Sequence, residues 1–373
     1  MTVVLGIILL GFLVFIHEAG HFVAARISGV TVESFSIGMG PVLCHKQIKG
    51  TDWRISLLPF GGYCGMKGEK DAELLAENPE AYVEKDSFYG VGGFQRAFIG
   101  FAGPFFNVFF AFLAYSVVAM VGYSYYSAGN RIKLVTDAYP EMHSAAADCG
   151  ILSWDKIVQI NSKEMNDFSE IYAEIATHPD EDITILVERN GELLNFTAHT
   201  DMNKNSGEGK LGVMSDPASV EKREAKRYGF FSAFAQGGKE VFSTIGLTFK
   251  GIGTLFKGVK ITESVSGPAR ITTMLGDTAK SGFSAGFRTG LSSLLQFMAM
   301  ISISLFIMNL LPIPVLDGFL VLTSLIEAIF GLRVSPKVRN IVQYIGIAII
   351  AFLFVVALTG DFHYFAGLFN AKK

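Results

Sequence analysis

In the run Ile16-His17-Glu18-Ala19-Gly20-His21-Phe22, two histidines stand four residues apart with a glutamate beside the first. On a helix a four-residue step turns roughly 40° about the axis and climbs about 6 Å, so His17 and His21 point the same way. Two imidazoles so placed can hold one zinc ion, and Glu18 can take a proton from a water on that metal. From Val3 to Ala25 these three are the only ionisable side chains. A metal site is therefore expected where lipid should be, since an unpartnered Glu18 in a membrane span would cost about 3 kcal/mol or more. A satisfied core histidine is the ordinary explanation of a lone helical His. What outweighs it here is a second half of the site at the far end of the chain.

That second half is Met308-Asn309-Leu310-Leu311-Pro312-Ile313-Pro314-Val315-Leu316-Asp317-Gly318. Two prolines two apart cannot continue a helix, so the chain must unwind near membrane depth, where free backbone groups are tolerated only if buried or wet. Asp317 follows the break. A carboxylate is a suitable third ligand and leaves the fourth position of one zinc ion per chain open for water.

Composition agrees with a membrane setting. Half of the 373 residues are hydrophobic, 33 are Phe and only 17% are charged, with a mean hydropathy of +0.40. The net charge of -3 argues for neither nucleic acid nor a polybasic anchor. Cys44, Cys64 and Cys149 have no CxxC spacing and read as isolated side chains. The apolar amino terminus has no Lys or Arg before it and is long enough to span, so it reads as a retained first span rather than a signal peptide. Further spans are expected over about 94–123, 290–311 and 341–358. Arg26, and Arg333, Lys337 and Arg339 in a short loop between the last two spans, place those ends in the cytoplasm and both termini outside. Lys372 and Lys373 run weakly against this.

Between the spans the chain changes character. Val32 to Ile37 and Thr51 to Leu57 alternate in the manner of strands, near the Gly61-Gly62 pair, and predict a small sheet beside the first span whose edge could receive an extended peptide. Residues 69–90 read as a solvated connection. Gly100 and Gly103 suit close helix packing. Asn107 either packs against a neighbouring helix, the favoured reading, or meets a substrate backbone. Residues 131–201 form the one polar segment: a strand at Ile132 to Val135, an Ala-rich helix from Ser144, a helix at Asp167 to Ala176, and strands Asp182 to Glu188 and Leu193 to His199 joined by the turn dipeptide Asn190-Gly191. Phe234, Val241, Ile245, Phe249, Ile252, Phe256 and Val259 recur at mostly three- and four-residue steps, with Lys239, Lys250, Lys257 and Lys260 on other positions. That pattern predicts a helix lying in the membrane interface.

The polar segment resembles a bacterial PDZ domain in permuted form. With His17-Glu18-Ala19-Gly20-His21, Gly103-Pro104-Phe105-Phe106-Asn107, Ser266-Gly267-Pro268 and Asn309 to Gly318 in this order, the whole chain resembles a site-2 protease of the bacterial RseP type. The resemblance implies His17, His21 and Asp317 as zinc ligands and Glu18 as the base. It implies that Asn309 helps hold the substrate backbone and that residues 32–66 form a membrane-associated sheet clamping an unwinding substrate helix, where Asn107, Gly61 and Gly62 are further candidate contacts. The family's Leu-Asp-Gly-Gly ending is here Leu316-Asp317-Gly318-Phe319, and one PDZ-like domain is visible where some members carry two.

The expected fold is a polytopic α-helical membrane protein with about four transmembrane helices, a membrane-associated β-hairpin or sheet and an inserted α+β PDZ domain. Its parts are 1–126 (amino-terminal catalytic membrane part), 127–204 (PDZ), 205–284 (with the interfacial helix) and 285–373 (carboxy-terminal membrane part). The expected activity is zinc-dependent cleavage of transmembrane segments of single-pass proteins, such as anti-sigma factors or remnant signal peptides, after a first cut by another protease. Its setting would be the cell inner membrane, with the PDZ domain outside, the active site near the cytoplasmic face, and peptide carboxyl termini as PDZ partners. A catalytically silent PDZ scaffold would have no use for Glu18 between two histidines. A metal transporter would need polar residues along a path rather than clustered at one depth.

Overall fold

The computed structural model describes residues 2–69, 71, 75, 78, 82–255, 257, 266–332 and 336–370. In chain order they form α1 (Thr2–Ile27), β1 (Val32–Ile48), β2 (Thr51–Met66), α2 (Gly93–Val121), β3 (Ser124–Ser127), β4 (Ile132–Leu134), β5 (Lys156–Ile160), β6 (Lys163–Glu164), α3 (Phe168–Ala176), β7 (Asp182–Arg189) and β8 (Glu192–His199). Short strands β9 (Asp201–Met202), β10 (Gly209–Lys210), β11 (Val213–Ser215) and β12 (Glu221–Glu224) follow, then helices α4 (Phe230–Leu255), α5 (Pro268–Ser284), α6 (Phe287–Asn309), α7 (Asp317–Phe330) and α8 (Pro336–Asn370). They divide into two compact units, Met1–Val121 with Arg227–Ile245 and Ser266–Lys373, and Gly122–Lys226 with Gly246–Val265.

Among the described residues, four helices of the first unit are long and apolar enough to cross a membrane: Thr2–Ile27, Gly93–Val121, Phe287–Asn309 and Ile341–Gly367. Their outward faces carry Ile8, Phe12, Phe105, Phe109 and Phe352 into the surroundings, as a lipid-facing surface requires. α1 stops at Ile27 because Gly29 turns to a φ of +81°, and the amide of Val30 closes on the carbonyl of Ala25 at 2.9 Å. A left-handed glycine is the ordinary end of a helix.

Helices α1 and α2 approach through small residues. A Cβ on Gly20 would lie 2.3 Å from the carbonyl oxygen of Ala102, so only glycine fits there. Further along, Leu13, Leu275, Met298 and Ile301 from α1, α5 and α6 form a buried cluster.

The strands expected at 32–37 and 51–57 are present within longer ones that fold back on themselves. Phe35 pairs with both Cys64 and Trp53, Ile37 with both Gly62 and Ile55, and Cys44 to Ile48 pair back onto Ile55 to Thr51. The result is a four-row sheet in the order 62–66, 32–37, 52–55, 44–48. Phe35, Cys64 and Met66 pack with Ala24, Ala25 and Ile99 in the core beside α1 and α2. The connection read as solvated is not so at its end: Phe88 is buried in that same core, and Asp86 accepts from Lys67 and Thr31.

Two long helices among the described residues go beyond the sequence expectation. α7 replaces the short loop expected between the third and fourth spans, because the double proline ends α6 without preventing a fresh apolar helix from starting at Asp317. α5 begins with Pro268 at its first position, where a missing amide is harmless. Arg333, Phe256, Val259, Lys260, Lys372, Lys373 and the side chains of Lys337 and Arg339 lie outside the described residues.

The second unit is built on a sheet in the order β6-β5-β7-β8. Ile132, Ile151, Ile157, Ile160, Ile171, Ile183, Ile185 and Val187 fill its core. Asn190 and Gly191 both have positive φ (53° and 87°), the geometry of the tight hairpin turn that this dipeptide signals. Asp167 caps α3 by accepting from the amide of Glu170 at 3.0 Å.

In α4, Phe234 packs at a tilt against Phe112 of α2, with ring centroids 5.6 Å apart, and Tyr115 and Thr244 share a hydrogen bond. Phe231, Phe242 and Phe249 stay exposed.

Candidate metal centre

His17 and His21 share one face of α1, with Glu18 next to His17 in the chain, while Asp317 is the first residue of α7, delivered by the break after α6. The break itself has two peculiarities. Val315 has a φ of +85°, rare for a β-branched residue. A Cβ on Gly318 would lie 2.3 Å from the carbonyl oxygen of Leu310, so the glycine after Asp317 lets the first turn of α7 close against the end of α6. Nothing in the pattern of residues marks Val315 as unusual; Gly318 was visible in the motif, its packing role was not.

Three donor atoms converge here. Nε2 of His17 lies 3.1 Å from Oδ2 of Asp317, Nε2 of His21 lies 3.4 Å from Oδ1, and the two Nε2 atoms are 3.3 Å apart. Ligands about 2.0–2.1 Å from a tetrahedral ion are themselves about 3.3 Å apart. The three side chains therefore already hold the spacing that a zinc ion requires. Among the described residues this is the group of His, Cys, Asp and Glu side chains close enough together to hold a metal.

The surroundings are fixed largely by α2. Nδ1 of His21 donates to the carbonyl of Ile99 at 2.8 Å, a partner that no side-chain motif could reveal. Gly103 lies directly beneath His21. Asn107, completely buried, has its side-chain amide 3.0 Å from Nδ1 of His17, and the hydroxyl of Ser302 on α6 donates to its backbone carbonyl at 2.9 Å. Asn309, at the end of α6, brings Nδ2 to 3.5 Å from Nε2 of His17. Glu18 is 8% exposed and abuts the sheet: a Cβ on Gly62 would lie 3.0 Å from its Cγ. Gly61 has a φ of +90°, so the Gly61-Gly62 pair turns the chain into the edge row 62–66 next to the carboxylate. Of the expected site residues, His17, Glu18, His21, Asp317 and Asn309 are gathered at one point, with Asn107 behind them and Gly62 beside them.

Residues 5–353 match the model of peptidase family M50. The chain belongs to that family, the site-2 proteases. It is 32% identical to a protein of Treponema pallidum over 98% of this chain and 99% of that one, 33% identical to one of Campylobacter jejuni over 95% and 91%, and 31% identical to one of Helicobacter pylori over 96% and 98%. Each of these carries the name "putative zinc metalloprotease". This M50 peptidase is accordingly a zinc metalloprotease and a membrane protein.

Proposed function

We propose that this M50 peptidase is an intramembrane endopeptidase that cuts transmembrane segments of single-pass proteins, with His17, His21 and Asp317 holding its zinc and Glu18 acting as the base. The observation that carries this reading is the convergence of those donors between helices long and apolar enough to span a bilayer, next to a sheet edge. Held by His17, His21 and Asp317, zinc would supply Lewis acidity toward a peptide carbonyl and toward a water, whose proton would become acidic near neutral pH. Glu18 takes that proton and returns it to the leaving amine. A transmembrane helix hides its carbonyls in its own hydrogen bonds, and strand addition along row 62–66 would compensate those freed on unwinding. Asn309, whose Nδ2 lies 3.5 Å from Nε2 of His17, would hold the substrate backbone during attack.

The second unit reads as a PDZ domain of permuted order. It would lie outside the cell's inner membrane, either capturing carboxyl termini left by an earlier cut or excluding uncut proteins by size. The substrates proposed are anti-sigma factors and remnant signal peptides, with the metal site toward the cytoplasmic face. The deciding experiment incubates the purified protein in detergent with a model transmembrane substrate and weighs the products. Cleavage inside the apolar segment, abolished by chelation and by Glu18→Gln, is expected. Undiminished cleavage by Glu18→Gln overturns the assigned base, and products cut only outside the apolar segment overturn the intramembrane reading.

A further inference from the structure

Nε2 of both histidines faces the Asp317 carboxylate, so Nε2 is the ligating atom of each. A neutral imidazole carries one proton, and for Nε2 to offer a lone pair that proton must sit on Nδ1 and find an acceptor. His21 meets this condition without ambiguity: its Nδ1 faces the Ile99 carbonyl, which can only accept. His17 does not, since its Nδ1 faces Nδ2 of Asn107. In the metal-binding tautomer that pairing sets one donor against another.

The amide's other end resolves the conflict. Among the described residues, buried Oδ1 of Asn107 has no hydrogen-bond partner, so none of them holds the amide in its present sense from that side. The contact with His17 alone decides it. A half-turn about the last side-chain bond exchanges two atoms of nearly equal size. Oδ1 then accepts from Nδ1–H of His17, and Nε2 is freed for the ion. The backbone of Asn107 is anchored meanwhile by Ser302.

We propose that Asn107 is a positioning residue that holds His17 in its metal-binding tautomer through Oδ1, doing for His17 what the Ile99 carbonyl does for His21. α2 thus sets the protonation pattern of both α1 ligands, and Asn107, with no exposed surface, acts on the substrate only through the metal. This rests on the ligand assignment proposed above. The alternative arrangement, Nδ2–H donating to Nδ1, puts the His17 proton on Nε2 against Asp317 and closes the site to a cation.

The test is zinc affinity of the purified full-length protein, by competition with a chromogenic chelator, alongside thermal unfolding of the metal-free form. Asn107→Asp keeps an acceptor and loses the donor; Asn107→Leu keeps the size and loses both. Asn107→Leu should lose about 10- to 100-fold in affinity, whereas Asn107→Asp stays within about threefold of wild type. Asn107→Ala replaces the leucine variant if that one does not fold. Wild-type affinity in the leucine or alanine variant overturns the proposal. So does a loss in Asn107→Asp equal to theirs when its metal-free unfolding is unchanged. His17→Ala should abolish binding; if it does not, the ligand assignment has failed and not the role of Asn107.

Discussion

Gly103 of α2 stands so close to His21 of α1 that a Cβ built on it would lie 2.2 Å from Nε2, the atom turned toward Asp317. The obstruction is to a ring that a hydrogen bond to Ile99 already fixes, so the ring cannot step aside without losing that partner. Gly103→Ala should therefore displace His21, a proposed zinc ligand, as well as strain the helix pair. Overpacking of this kind costs about 1–3 kcal/mol. Zinc content after dialysis and cleavage should both fall at least about tenfold, as for a ligand moved out of place. An alanine variant with full zinc and full activity would show that α1 and α2 are not held at this separation.

Much of the site was legible because its chemistry resides in side chains of rare type for their surroundings. His17, Glu18 and His21 are the only ionisable residues of an apolar run, and Asp317 follows a proline pair that no helix could carry. The partner of His21 is not legible, because it is a backbone carbonyl, and the sequence leaves Asn107 between helix packing and a substrate contact because spacing says nothing of which atom a buried amide meets. The doubling back of β1 and β2 was half visible, as strands without their pairing. α7 was hidden by the assumption that a double proline ends helical structure, although Asp317 to Phe330 has a glycine stop at Gly331, whose φ is +66°.

Arg96 on α2 and Glu327 on α7 pair at 2.9 Å with side chains 6% and 20% exposed, and Arg96 also lies over the ring of Tyr89. Ten residues separate Glu327 from Asp317 on one helix, so this pair fixes the far end of the element that carries the third donor. Arg96→Met would take this partner from a half-buried carboxylate, so the variant should be less stable, by less than the roughly 3–5 kcal/mol of a fully buried pair. The double change Arg96→Met with Glu327→Met should recover most of the loss, because charge and counter-charge leave together. Thermal unfolding in detergent checks this, and a double variant no more stable than the single one would refute the coupling.

In the second unit Asp155 is 3% exposed and accepts two bonds from Arg189, at 2.8 and 2.7 Å, and one from the amide of Leu152 at 2.9 Å. Burial pushes its carboxyl upward, but the guanidinium and the amide outweigh it and hold it below the usual carboxylate range. A carboxyl depressed by folding contributes stability that is present above its unfolded value, about 4, and is lost as pH falls toward the folded one. Asp155→Asn should therefore destabilise the second unit near neutral pH by about 3 kcal/mol and flatten its acid limb below about pH 4. Limited proteolysis of that unit against pH reads both effects; an acid limb unchanged by the substitution would assign it to other carboxyls.

His143 behaves in the opposite sense. Its Nδ1 faces Oδ2 of Asp201 at 2.6 Å and its Nε2 faces Oδ2 of Asp148 at 2.7 Å. Only an imidazolium can donate to both. The bond to Asp201 and then that to Asp148 raise its pKa. A histidine raised by folding adds stability that is complete below its unfolded value, about 6.5, and is lost as pH rises through the folded one. The ring is largely exposed, so water and salt screen the pair and the effect is small. Deuterium exchange at the imidazole carbon, followed by mass spectrometry of the full chain across pH, should give His143 a midpoint above about 6.5. Asp201→Asn should move that midpoint down. A midpoint at or below the ordinary value would mean that the bridge from Asp148 to Asp201 does not form in solution.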